Sequence, residues 1–126
     1  MASESGLVPE ELADEIVRLC RTSMGDSLRS VTYFTRDDYD QLYLRSDLAR
    51  DADLSTFVGY EWRDFKTARD AYTSSELGAY EYTIHGFESG FLVRVIAGGR
   101  GAFVTTGPLS VARFEDVVTA VRDVLE

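Results

Sequence analysis

Residues 80–106 read YEYTIHGFESGFLVRVIAGGRGAFVTT, and how that stretch is read decides the fold. Tyr80, Tyr82 and Ile84 recur at a period of two, so they fall on one face of an extended strand. Phe91, Val93 and Val95 then alternate with Leu92, Arg94 and Ile96, and Ala102 to Thr106 continues the pattern. The connectors, Gly86 to Gly90 and Gly98 to Gly101, carry the glycine that tight hairpins use for positive φ. The stretch predicts three consecutive antiparallel strands.

On the C-terminal side, Pro108 and Ser110 open a helix whose Phe114, Val117, Val118, Val121 and Leu125 form one apolar stripe. On the N-terminal side, Leu54, Val58, Phe65, Ala68 and Tyr72 recur at helical spacing and predict a helix from about Leu54 to Thr73. Gly59 falls inside it, at a cost of ~1 kcal/mol relative to alanine. Before it, Ser46 to Asp53 is polar and reads as a loop. Leu28 to Thr35 and Tyr39 to Arg45 read as a hairpin turning on Arg36, Asp37 and Asp38. Pro9 suits a first helical turn, Glu10 and Glu11 suit its positive end, and Leu12, Ile16, Leu19 and Cys20 supply an apolar face. A first helix from Pro9 to Met24 follows, stopped by Gly25, with residues 1–8 as a flexible lead into a single domain spanning 1–126.

The order is therefore α-β-β-α-β-β-β-α, an α+β domain with a five-stranded antiparallel sheet and three helices. This order resembles the roadblock and profilin-like domains, which carry a long helix between the second and third of five antiparallel strands. The resemblance implies that the strand holding Tyr80 and Tyr82 lies at a sheet edge. A second resemblance is local. The run Asp38-Tyr39-Asp40-Gln41-Leu42-Tyr43-Leu44-Arg45-Ser46-Asp47-Leu48, with Leu77-Gly78 before the strand trio, is similar to stretches in small uncharacterised haloarchaeal proteins. Ser46 departs from their YLRDDL-type pattern, and Gly98-Gly99-Arg100-Gly101 replaces a more acidic turn. That resemblance implies a salt-rich habitat and names no activity.

The 126 residues suit one domain that buries roughly two-thirds of its unfolded surface. Twenty-two Asp and Glu against thirteen Lys and Arg give a formal charge of −9, and Lys66 is the sole lysine. Such a chain repels phosphate backbones, and no arginine stripe reverses that locally, so nucleic acid is not expected as a partner. In molar salt the Debye length falls to ~3 Å and the self-repulsion is screened, which fits a halophilic protein. An acidic mesophilic protein is the other reading of the same figures. No apolar run reaches the ~18 residues of a membrane helix, and the N-terminus lacks an export signal, so the expectation is a cytoplasmic protein with no membrane partner.

Candidate chemical groups are few, and each has a structural reading. His85 is the sole histidine and cannot build a multi-histidine metal site. Cys20 lies on the apolar face of the first helix and reads as core. A calcium loop starting at Asp51 fails at Thr56, where glycine is needed, and at Trp62, where a bidentate Glu is needed. Asp47, Asp51, Asp53 and Ser55 therefore read as a solvated loop, as do Asp37, Asp38 and Asp40. Gly98 to Gly101 lies between strands with no helix N-terminus behind it, so it reads as a turn rather than a phosphate nest. No catalytic group, cofactor or metal is expected.

Tyr60, Trp62, Tyr80 and Tyr82 are the candidate interface, because Tyr and Trp are enriched at interfaces and an exposed edge strand invites pairing. The same rings could equally pack the second helix onto the sheet. The expected function is a non-catalytic protein–protein interaction or regulatory module, with a second copy of itself or another protein as partner. The alternative is a profilin-like sensor that holds a small molecule.

Overall fold

A computed structural model describes residues 8–35, 38–48, 58–97, 99–108 and 111–126; within them, the side chains of 58–62 and 111–113 are outside the description. The expected order is present. Helix α1 is Glu10–Met24, strands β1 and β2 are Leu28–Phe34 and Tyr39–Leu44, and helix α2 is Val58–Ala71. Strands β3, β4 and β5 are Tyr82–Phe87, Gly90–Ala97 and Arg100–Thr106, and helix α3 is Val111–Leu125. One turn of 3-10 helix, Gly25–Ser27, joins α1 to β1.

Glycine and proline punctuate the chain as their dihedrals require. Pro9 stands at the N-cap of α1, and Gly25 ends the helix at φ 56°. Gly99, at φ 78°, turns β4 into β5, where Ala97 pairs with Arg100. The β3–β4 connection corrects the expectation from sequence. Gly86 and Gly90 belong to the strands, and Glu88 and Ser89 alone form the turn between the paired Phe87 and Gly90. Gly90 is glycine because a Cβ there would lie 1.9 Å from the Thr106 carbonyl oxygen. The second helix begins its described part at Val58, while Leu54 to Phe57 lie outside the described residues. Val8, assigned to the N-terminal lead from sequence, is buried in the core.

The five antiparallel strands are ordered β2-β1-β5-β4-β3, which leaves β2 and β3 as edges. Alternation along the strands divides the molecule into layers. On one face, Val31, Tyr33, Val93, Val95, Ala102 and Val104 meet Ala13, Ile16 and Cys20 of α1 and Phe114, Val117 and Val121 of α3. Phe91 and Phe114 pack edge to face at 4.9 Å. On the other face a smaller cluster of Phe34, Leu92 and Phe103, with Ile96, lies beside a band of polar side chains.

Candidate functional site

The free edge of β3, together with the α2–β3 connection, carries the features that distinguish this sheet from a merely packed one. Tyr82 and Ile84 point to the α1/α3 side and pack on its core. Thr83 and His85, one residue out of phase, point to the side of α2. There Arg94 of β4, opposite Thr83 in the register, is 1% exposed although it carries a full charge. Its guanidinium donates to Asp64 Oδ2 of α2 at 2.9 Å, to the Tyr80 hydroxyl at 2.7 Å and to Thr83 Oγ1. The same group lies 6.0 Å from the Phe65 ring centre. A buried charge needs this density of partners, since desolvating a cation costs several kcal/mol without them. His85 Nε2 stands 3.8 Å from Asp64 Oδ2, so the sole histidine borders the network.

Tyr80 and Tyr82 are separated by this arrangement. Sequence alternation places them on one face, but Tyr80 precedes the strand and turns toward α2. Its ring packs on Phe65 at 5.8 Å and on Tyr72 at 6.4 Å, and its hydroxyl reaches Arg94. Tyr60 and Trp62 fall in the first turns of α2, and their side chains lie outside the described part. The hydrogen bonds of Arg94 were not anticipated from sequence. The available signal was a lone cation alternating with apolar residues in the middle of a strand trio.

Between α2 and β3 the chain is folded tightly. Ser75 N–H donates to the Tyr72 carbonyl at 3.0 Å, Leu77 N–H to Ser75 Oγ at 3.0 Å, and Gly78 N–H to the Ser75 carbonyl at 3.2 Å. Gly78 takes φ 97°, which other residues rarely adopt. This loop presents Leu77 at 98% exposure and Tyr72 at 58%, and Phe87 at the far end of β3 is 57% exposed. A cleft of about 560 Å³ opens at the start of the strand, walled by Tyr72, Leu77, Ala79, Tyr80 and Tyr82.

The other candidates take structural positions. Cys20 is fully buried and its thiol pKa is pushed up to about 12 by that burial. Arg100, in the glycine-rich turn, donates through Nε and Nη2 to the Leu125 carbonyl at 3.0 and 2.9 Å, closing the C-terminal end of α3. Asp47 is held by the Arg45 guanidinium at 2.6 Å, and that hydrogen bond lowers its pKa below the ordinary aspartate value. Asp37, Asp51, Asp53 and Ser55 lie outside the described residues; Asp38 is exposed just before β2, whereas Asp40 lies within β2 with its Oδ2 buried, not in a solvated turn, because the strand begins at Tyr39. Among the described residues no three His, Cys, Asp or Glu side chains gather as a metal site, and no helix is long and apolar enough to cross a membrane.

Residues 14–126 match the model of a domain family of unknown function, DUF7522. Among solved structures, the gliding protein MglB of Thermus thermophilus superposes with a TM-score of 0.66 at 12% identity, over 91% of this chain and 89% of that one. A structure of MglB with a tetrameric arrangement gives 0.66 at 12% identity, over 91% and 88%. MglB of Myxococcus xanthus gives 0.64 at 12% identity, over 94% and 90%. At this identity the likeness is one of fold. No curated protein matches the chain.

Proposed function

The chain belongs to this family of domains of unknown function, and from that premise we propose that it is a non-catalytic interaction module that works as a homodimer through β3. The observation that carries the reading is the edge strand itself. Tyr82–Phe87 bears no Asp, Glu, Lys or Arg in a chain of net charge −9, its charges being held off to Glu81 and Glu88 at the two ends, and Tyr72 and Leu77 before it and Phe87 within it are exposed. The opposite edge, β2, carries a carboxylate inside the strand itself, Asp40, whereas the interior of β3 carries none. One of the similar MglB structures is of a tetrameric arrangement, and assembly from copies is the property carried over to this chain.

We read the module as a single halophilic, cytoplasmic domain over residues 1–126. The charge supports that medium, because carboxylate repulsion that opposes both folding and pairing is screened in molar salt. Multi-angle light scattering in molar KCl tests the assembly: a dimer mass is expected at micromolar concentration, and a monomer at every concentration removes the proposal. The sensor reading has one observation in its favour, the cleft of about 560 Å³ beside Tyr80 and Tyr82. A thermal-shift screen of metabolites decides it, since a ligand of that cleft must raise the melting temperature.

A further inference from the structure

The turn between β3 and β4 fixes which backbone groups of β3 are free. Phe87 and Gly90 flank the Glu88–Ser89 turn, so they form a hydrogen-bonded pair, and with them Thr83 and His85 direct their N–H and C=O groups toward β4. Tyr82, Ile84 and Gly86 therefore direct theirs outward. A two-fold axis perpendicular to the sheet keeps α2 on the same side in both copies and sets each residue opposite one of the same parity. Of the registers this permits, the one with Ile84 opposite Ile84 uses every outward group, since Tyr82 then faces the partner copy's residue 86. A register centred on His85 strands Tyr82 against the turn, and one centred on Thr83 strands Gly86 beyond the strand.

The Ile84 register has consequences for side chains. Tyr82 meets a glycine, whose missing side chain leaves space over the strand; around Gly86 itself a Cβ would find only the Phe91 ring, at 3.8 Å. Phe87, on the α2 side, falls opposite position 81 and diagonally beside position 79 of the other copy. Those positions line the cleft walled by Tyr72, Leu77 and Tyr80. An exposed aromatic ring at one end of the strand thus meets, at the other end of the same strand, a cleft walled chiefly by aromatic and aliphatic side chains, with Ser75 and Glu81 as its polar members. Two-fold symmetry makes the match occur twice; β3 itself has no charged side chain, and Glu81, the residue opposite Phe87, has its carboxylate paired with Arg122 at 3.2 Å.

We propose that the cleft at the start of β3 is the receptor for Phe87 of a second copy of this chain, with Ile84 on the two-fold axis. The inference rests on the homodimer reading above and goes beyond it in fixing register and anchor. Positions 81 and 87 would form a non-hydrogen-bonded pair with Cα atoms about 4.5 Å apart, within disulfide reach. The double variant Glu81→Cys with Phe87→Cys, oxidised in molar KCl, is expected to give a covalent dimer on a non-reducing gel, while each single variant stays uncrosslinked. Phe87→Ala in the otherwise unaltered chain is expected to raise the dimer dissociation constant about tenfold or more, as loss of a buried aromatic anchor does. A wild-type chain that scatters as a monomer overturns the homodimer reading and this inference together. A wild-type dimer whose double variant does not crosslink, or whose dissociation constant is unmoved by Phe87→Ala, overturns this inference alone. Crosslinking of Thr83→Cys with Phe87→Cys in place of the 81/87 pair would likewise overturn it in favour of the His85 register.

Discussion

Thr32 shows how a single buried atom can lack a hydrogen bond inside a sheet. Its side chain is fully buried on the α2 side, and its Oγ1 has no hydrogen-bond partner, while nearby Ser30 and Thr105 satisfy each other at 2.6 Å. An unmade hydrogen bond on a buried hydroxyl costs about 1–3 kcal/mol. Thr32→Val, which keeps the β-branch, is expected to stabilise the fold by about 1 kcal/mol, read as a higher urea midpoint at unchanged slope. Asp47 presents the opposite case on the surface. Arg45 lowers its pKa from the ordinary 3.8 chiefly by hydrogen bonding to the carboxylate. Its contribution is therefore present above the unfolded value and lost as pH falls through the lower, folded one. Carbon-detected NMR should find the Asp47 carboxyl titrating below 3.8 and returning toward it in Arg45→Gln. The Asp47 side chain is 63% exposed and that of Arg45 31%, so solvent screening keeps that contribution small and the titration curve is the place to read it.

At the scale of elements, the two glycines that sequence assigned to one turn behave differently because they face different neighbours. Gly90→Ala would drive a methyl group into the Thr106 carbonyl, and backbone on both strands would have to part. A loss of about 2–3 kcal/mol is expected in chemical denaturation, against no more than about 0.5 kcal/mol for Gly86→Ala, whose new methyl group would make ordinary contact with Phe91. Most of the elements were legible because their signals are local: alternation in β4 and β5, Pro9 and Gly25 at the ends of α1, the stripe of α3. The close approach of Gly90 to Thr106 was not, because it is set between β4 and the end of β5, sixteen residues away in sequence. The α2-side network was hidden for the same reason. Alternation placed Arg94 opposite Val93 and Val95, but only assembly brings Asp64, Tyr80 and Thr83 to it from three separate segments. The edge position of β3 was readable through the element order. The split between Tyr80 and Tyr82 required knowing that the strand starts at Tyr82.

At the scale of the molecule, net charge and layer order set the response to conditions. With −9 formal charge over 126 residues, repulsion is long-ranged at low ionic strength and screened at high. The melting temperature is expected to climb from millimolar to molar KCl, and a flat or falling curve in differential scanning calorimetry would contradict salt adaptation. The α1/α3 layer adds a gauge of its own. Cys20 is sealed between α1 and the sheet with its thiol held in the uncharged form, so it presents neither access nor a thiolate to an alkylating reagent. Reagent can attack only after that layer lifts. The rate at which a maleimide consumes the chain's one sulfhydryl therefore clocks opening of the larger core, and slowing of that clock in strong salt would register the electrostatic effect without heating the protein.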